Sequence, residues 1–304
     1  MMGKQHAMSG AAGWLAGCAV LDAAGHPVAL HVRTIGAAVC AGWALIPDLD
    51  HPESTVSRYA GPITRYLAEA VAELSRVVHD RTRTAWDRPG LGGHRLLTHT
   101  AVWAILCGVV VAAAGRWAGP YLAAALVFVS AHLGLRTTLP WRWQRIQIRT
   151  GPRRRRMRIS VPVLVPAGFA VFTFVQAPGS AWWLGLAVAA GSLIHCLGDA
   201  PTNSACPIVA PVPVPVLRRD STGRRRIVGW RRWHPVGPPK TVTVRAGSWS
   251  ATVKTRFNTG GLFEQYVVRP LLITAIAGSV AWMEWPTLAD AVTTIQSSWS
   301  TPGP

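Results

Sequence analysis

The amino-acid sequence predicts an all-α polytopic membrane protein: a helical bundle of about five to seven transmembrane helices carrying a small, basic, β-hairpin-containing cytoplasmic insert. Three observations predict it. The 304 residues are 50% hydrophobic and only 14% charged, where soluble domains carry about 25% charged residues. Mean hydropathy is +0.25. The 15 tryptophans are many for this length, and the amphipathic indole favours the membrane–water interface.

Segments of about 17–25 apolar residues are the candidates for crossing a bilayer. They are residues 7–22, 28–46, 99–115, 119–136, 161–177, 181–198 and 267–285. The first is Ala/Gly-rich, and in the second His31 and Arg33 must lie near an interface. Ala177, Pro178, Gly179 and Ser180 separate the fifth from the sixth. From Pro62 to Arg83, Ile63, Tyr66, Leu67, Ala70, Val71, Leu74, Val77 and Val78 recur at helical spacing, which predicts an amphipathic helix on the membrane or against the bundle.

Residues 141–158 read as an Arg-rich loop, with Arg153 to Arg156 in a row. In the long polar insert, Pro211, Pro213 and Pro215 alternate with valines and predict extended chain. Thr241 to Arg245 and Ser250 to Lys254 alternate across Ala246, Gly247, Ser248 and Trp249, a β-hairpin pattern. Three regions follow: a membrane bundle with the candidate site over 1–200, a basic Pro-rich, hairpin-containing insert over 201–266, and the last span with a C-terminal tail over 267–304. The N-terminal segment lacks a signal-peptide pattern. The five cysteines show no zinc-ribbon spacing and read as small buried thiols.

Net charge is +18, from 31 basic and 13 acidic residues. The arginines cluster between apolar segments, as cytoplasmic loops of a membrane protein do. That pattern predicts contact with anionic lipid headgroups and no specific nucleic acid, for which no motif is present. Placing 141–158 and 201–266 in the cytoplasm fixes the other segments by counting spans. Every acid and histidine cluster then falls on that same face, including His6, the Asp48–His51 run, His94, His99, His195 and Asp199. The expected location is therefore the cytoplasmic (inner) membrane, multi-pass, with the site facing the cytoplasm.

Ionisable groups near lipid are costly, so their concentration at segment ends points to use. Asp48 and Asp50 with His51 offer hard oxygens and an imidazole. His94 and His99 lie five apart, and His195 and Asp199 lie four apart on one helix face. The first shell of a divalent metal is expected from among His6, Asp48, Asp50, His51, His94, His99, His195 and Asp199. Imidazole with carboxylate suits zinc, with manganese or iron as alternatives, and leaves room for a reactive water. Arg95 would sit beside an anionic substrate or transition state, and Glu264 and Asp199 are candidate bases or partners of the ligands. Taken singly these features are ordinary. Asp-x-Asp is commonly a solvated cap and His-x-x-x-Asp a helix-stabilising pair. His132 reads as a packed or hydrogen-bonded side chain, and His26, His79 and His234 read as surface.

At these residues the chain resembles the YdjM-like family of LexA-regulated, membrane-bound, metal-dependent hydrolases. The similar segments are Gln5-His6, Leu45-Ile46-Pro47-Asp48-Leu49-Asp50-His51, Gly93-His94-Arg95-Leu96-Leu97-Thr98-His99-Thr100, His195 through Thr202, and Gly261-Leu262-Phe263-Glu264. The resemblance implies a helical inner-membrane hydrolase distantly similar to zinc-dependent phospholipase C. The chain departs from the family pattern at Asn203 to Pro207, which replaces a small Gly-containing turn, and in its long basic insert.

The leading expectation is metal-assisted hydrolysis of a phosphoester or lipid-like ester. The main rival is a non-enzymatic scaffold or regulator with a structural metal that recruits a cytoplasmic protein partner. A metal transporter would place its acids and histidines at mid-membrane depth rather than at span ends.

Overall fold

The computed structural model describes residues 3–89, 94–150, 155–176, 182–203, 205–238, 241–246, 249–254, 256, 258 and 261–300. Gly93 of the histidine motif, Arg153, Arg154, the 177–180 connection and the 247–248 turn lie outside them. The helices are α1 (Gly3–Ala23), α2 (Leu30–Trp43), α3 (Pro62–Thr82), α4 (Ala101–Thr138), α5 (Val161–Gln176), α6 (Trp183–Asp199) and α7 (Arg269–Ser300). Among the described residues, three segments are long and apolar enough to cross a membrane: Leu30–Asp50, Ala101–Thr138 and Glu264–Glu284. Val161–Gln176 and Trp183–Asp199 are shorter apolar helices.

The expected spans 99–115, from Ala101 onward, and 119–136 both fall in α4. A straight helix of 38 residues would run about 57 Å, twice the apolar thickness of a bilayer. Gly119 breaks it with φ 58° and ψ −146°, and Pro120 follows. Glycine tolerates that left-handed φ, and proline, lacking an N–H, starts the second helical segment without losing a bond.

α2 is the element the others pack on. Ile35 and Val39 of α2 meet Ala123 and Val127 of α4 and Leu184, Ala187 and Val188 of α6 in one buried cluster. Close approach is set by small residues, as in other membrane bundles. A Cβ at Gly10 of α1 would stand 2.5 Å from the Cys40 carbonyl oxygen, and one at Gly191 of α6 would stand 2.6 Å from the same atom. Both helices therefore touch the α2 backbone at one level. One helical turn further on, each carries a histidine, His6 on α1 and His195 on α6. At the opposite end of α2, Arg33 is pinned by Asp22 of α1 and Glu284 of α7, each at 3.2 Å.

α3 forms where its periodicity predicts it, ending one residue earlier. Its bundle-facing side is built from small or polar residues, with Ala68, Ser75 and His79 buried. Ile63, Tyr66, Leu67 and Leu74 point outward. His79, expected at the surface, is instead buried, its ring 5.1 Å from that of Trp233. Trp233 comes from the distant insert, so local pattern could not reveal the contact.

Residues 141–158, expected as a loop, contain an antiparallel hairpin, β1 (Arg145–Thr150) and β2 (Arg155–Ser160). The insert forms two more. β3 (Val214–Arg219) pairs with β4 (Arg225–Arg231), and β5 (Thr241–Ala246) pairs with β6 (Trp249–Lys254) as the expected hairpin, with Thr241 opposite Lys254. The cysteines are free thiols. The Cys206 thiol donates to the Cys196 carbonyl at 3.0 Å, and burial pushes its pKa up to about 12.

Asp87 ties the insert to the end of α3. Its carboxylate accepts from the backbone N–H groups of Thr84 (2.8 Å), Arg232 (3.1 Å) and Trp233 (2.9 Å). Burial raises the Asp87 pKa, and these N–H donors outweigh it, so the group titrates below the ordinary carboxylate range. A carboxyl with a lowered folded pKa stabilises above its unfolded pKa of about 3.9 and loses that contribution as pH falls through the folded value. The clasp is thus fully formed at neutral pH.

Two outcomes follow from these contacts. Gly191→Val pushes side-chain atoms into the Cys40 carbonyl. Overpacking of this kind costs about 1–3 kcal/mol, and a lowered thermal midpoint in detergent measures it. Asp87→Asn removes a charged acceptor, worth about 1.5–3 kcal/mol. Hydrogen exchange at the Arg232 and Trp233 amides is expected to quicken at least about tenfold, with α4 and α6 unchanged.

Candidate metal centre

Four side chains converge where α1, α2 and α6 end together. Asp48, His99, His195 and Asp199 each offer one ligand atom, and these atoms all lie within 4.8 Å of one another. The sequence of each local element explains why they face inward.

Asp48 and Asp50 lie in a 3-10 turn, Ile46–Asp50, with Pro47 in its first turn. At three residues per turn, side chains two apart diverge widely. Asp48 turns into the cluster, its Oδ1 3.5 Å from His195 Nε2 and 3.7 Å from His99 Nε2. Asp50 turns away and is fully enclosed. Its Oδ1 accepts from His94 Nδ1 at 2.8 Å, and its Oδ2 accepts from the Thr98 hydroxyl at 2.6 Å and the Arg95 N–H at 3.2 Å.

His99 and His195 have tautomers fixed by their partners. His195 Nδ1 donates to the Ala44 carbonyl at 2.8 Å. The Thr98 hydroxyl proton is committed to Asp50, so its oxygen accepts from His99 Nδ1 at 3.0 Å. With Nδ1 donating, the lone pair each ring can offer a metal is on Nε2. The two Nε2 atoms stand 3.2 Å apart, near the roughly 3.3 Å edge of a tetrahedral site with bonds of about 2.0 Å. Two facing lone pairs between two carboxylates repel unless a cation lies among them. The donor set therefore fits a divalent metal ion.

Asp199 ends α6, four residues after His195, and its Oδ2 is 3.9 Å from both Nε2 atoms. Arg95 Nη2 binds the same oxygen at 2.7 Å, and Nη1 donates to Thr202 Oγ1 at 3.1 Å. Arg95 holds a left-handed φ of 57°, a strained state for a residue with a Cβ and common at functional sites. His6 is fully buried, its ring stacked 3.8 Å from that of His195, with Nε2 3.2 Å from Asp199 Oδ1. It stands beside the four rather than among them.

His94 and His51 lie one layer out. Their rings meet edge-on at 4.8 Å, and His51 Nδ1 accepts from the Glu53 N–H at 3.2 Å. Both line a cavity of about 370 Å³ with Gly3, Asp48, Glu53 and Arg95. Asp48, with 23% of its side chain exposed, is the member of the four that opens onto it, since the other three are at most 1% exposed. Glu264 is buried in the π-helical turn Glu264–Val268 that leads into α7, and is not a member of the group of four.

The eight expected ligands thus separate into four converging donors (Asp48, His99, His195, Asp199), a pair in which buried Asp50 holds half-buried His94, and His6 and His51 at the margins. Sequence reading gave no role to Thr98, Thr202 or the Ala44 carbonyl. The two threonines could have been found, because they stand inside the quoted segments next to His99 and three residues after Asp199. A backbone carbonyl leaves no such signal. The unusual turn after Thr202 also has a structural reading: Ala205 takes φ 52°, a conformation that glycine reaches without strain.

Fold and site together define a helical membrane protein with a buried histidine–carboxylate centre able to hold a metal ion. The family model described as YdjM inner membrane protein matches residues 1–283, and the chain belongs to that family. Comparison with curated proteins and with solved structures finds no match.

His195→Ala and Asp199→Ala each remove a donor, and both variants are expected to lose stoichiometric divalent metal by elemental mass spectrometry. Asp50→Ala removes the acceptor behind Thr98 and His99. Loss of such an outer partner costs about 10–100-fold in metal affinity, and competition with a fluorescent chelator measures it.

Proposed function

We propose that this chain is a multi-pass inner-membrane hydrolase that uses a divalent metal, zinc in the first instance, to cleave a phosphoester at the cytoplasmic face. The observation that carries the proposal is the pair of Nε2 atoms at 3.2 Å between two carboxylates at the foot of a solvent-reaching cavity. Asp48, His99, His195 and Asp199 would hold the ion. When bound, it would supply Lewis acidity and lower the pKa of water at neutral pH.

The chain's own residues supply the remaining roles. Asp50, which accepts from three donors on its carboxylate, fixes the His94 ring. His94 Nδ1 is occupied by that bond, which leaves Nε2 as a proton acceptor. His94 keeps 29% of its side chain exposed and lines the cavity. This is the base-with-orienter arrangement of general base catalysis. His51 has the opposite tautomer, with Nδ1 accepting and Nε2 carrying the proton, so it offers a donor in the same cavity.

Asp48, Asp50 and Asp199 place three carboxylates around the seat against the one guanidinium of Arg95, so a dication would bring the centre to formal neutrality. The ion itself would be the group that meets a phosphoester oxygen. Arg95 contributes by balancing Asp199 rather than by reaching out to substrate. The site sits at the ends of membrane-embedded helices, which supports a lipid-like phosphoester. The scaffold reading draws on a different observation: four donors are enough to close a structural metal shell.

The test is hydrolysis of a chromogenic phosphodiester and a short-chain phospholipid by the metal-loaded protein in detergent. His94→Gln is expected to keep its metal and lose about 10²–10⁴-fold in kcat. A folded, metal-loaded protein that turns over neither substrate overturns the hydrolase and leaves the scaffold.

A further inference from the structure

The β3–β4 hairpin carries a feature that the metal centre does not explain. Its 18 residues from Val214 to Arg231 contain six arginines and one acid, Asp220. The pairing sets Arg218 directly opposite Arg226 and Arg219 directly opposite Arg225. Like charges directly across an antiparallel ladder repel, and a two-stranded hairpin has little stability to spare.

The turn nevertheless enforces that register. Asp220 Oδ1 accepts from the Thr222 N–H at 2.9 Å, the Thr222 hydroxyl at 2.6 Å and the Arg224 N–H at 3.0 Å. Gly223 closes the turn at φ 79°, a conformation that favours glycine. Asp220 Oδ2 pairs with Arg226 at 3.2 Å, so one arginine of the four is neutralised within the hairpin. The two pairs are all exposed.

Beside these charges stands a second apolar feature. Leu217 and Ile227 face each other across the strands, and both are exposed along with Val228 and Trp230. Packing of the hairpin backbone at Gly229 against Trp86 leaves these side chains uncovered.

We propose that the β3–β4 hairpin is a docking surface for an anionic bilayer. Its arginines engage acidic headgroups while Leu217, Ile227 and Trp230 enter the interfacial layer. Three observations select a bilayer. The hairpin lies between α6 and the apolar segment that begins at Glu264, so both of its tethers are membrane-associated helices. Arginine, aliphatic and indole side chains together match the graded polarity of the interface, where basic stems and aromatic rings settle. A duplex nucleic acid offers phosphates to the arginines and nothing to Leu217 and Ile227. The Asp87 clasp fixes the hairpin base on the end of α3, so a docked hairpin holds α3 against the same surface. The proposal is independent of the hydrolase reading.

The full chain is placed in nanodiscs of phosphatidylcholine alone, or with one third phosphatidylglycerol, and hydrogen exchange is followed at the amides of 214–231. Exchange is expected to slow at least about tenfold in the anionic discs, and high salt, which screens exposed charges, is expected to reverse it. The variant Arg218→Gln/Arg219→Gln/Arg225→Gln/Arg226→Gln is expected to lose the difference between discs while the Arg232 and Trp233 amides stay protected, showing that the clasp still forms. Equal exchange in both discs overturns the proposal. So does protection conferred by a short DNA duplex and not by phosphatidylglycerol, which would make the hairpin a nucleic-acid surface.

Discussion

The arrangement depends on one close contact, the approach of α1 and α6 to the Cys40 carbonyl of α2. Gly10 and Gly191 are the residues that permit it. In lipid no hydrophobic force draws helices together, so small residues that let backbones touch decide where helices meet. Meeting at Cys40 brings the next turn of each helix to the same level. There His6 stacks on His195, and His195 reaches the Ala44 carbonyl just beyond α2. That bond sets the tautomer, and the tautomer turns a histidine into a donor. Packing, hydrogen bonding and the convergence of side chains that could hold a metal ion are here successive consequences of two missing side chains.

The second organising principle is that charge is concentrated at the two ends of the helical bundle. At one end Arg33 answers Asp22 and Glu284. At the other Arg95 answers Asp199, and three donors answer Asp50. Between them α2, α4 and α6 meet in an apolar cluster. An ionised group near lipid is tolerated when paired, and apart from Arg33 with Asp22, which join neighbouring helices, the partners in these pairs come from distant stretches of chain. The ionic contacts therefore also tie together parts of the chain that no local structure connects.

How much of this was legible in sequence varies with the range of the interaction. The helix of 62–83 and the hairpin of 241–254 rest on local periodicity, and both form. His195 and Asp199 share a helix face because they lie four apart, and they converge. The division between Asp48 and Asp50 was hidden, because the segment Leu45–His51 reads equally as a loop or as the end of a span. Only its 3-10 winding sends the two carboxylates in different directions. His79 was misjudged for a related reason: its polar neighbours on α3 suggest a surface, and its burial comes from Trp233, more than 150 positions away. The hairpin of β1 and β2 was read as a loop because its arginines dominate the segment, although Ile146 and Ile148, and Met157 and Ile159, alternate with polar residues and pair across the strands.

Resolving eight candidate ligands into four changes what the remaining polar residues are for. A pool of eight would describe a surface that binds metal loosely and with many geometries. Three buried donors, His99, His195 and Asp199, held by Thr98 with Asp50 behind it, by Ala44 and by Arg95, with half-buried Asp48 beside them, describe a site that is organised before any ion arrives. Preorganisation of this kind leaves His94 and His51 free to face the cavity with opposite tautomers, one accepting and one donating. The same acid that looks like a ligand in sequence, Asp50, is better placed as the anchor of that proton acceptor. Its three hydrogen bonds leave little capacity for a metal, and the Thr98 bond carries its influence back to His99. Asp50 thereby couples the geometry of the metal seat to the orientation of the proton acceptor.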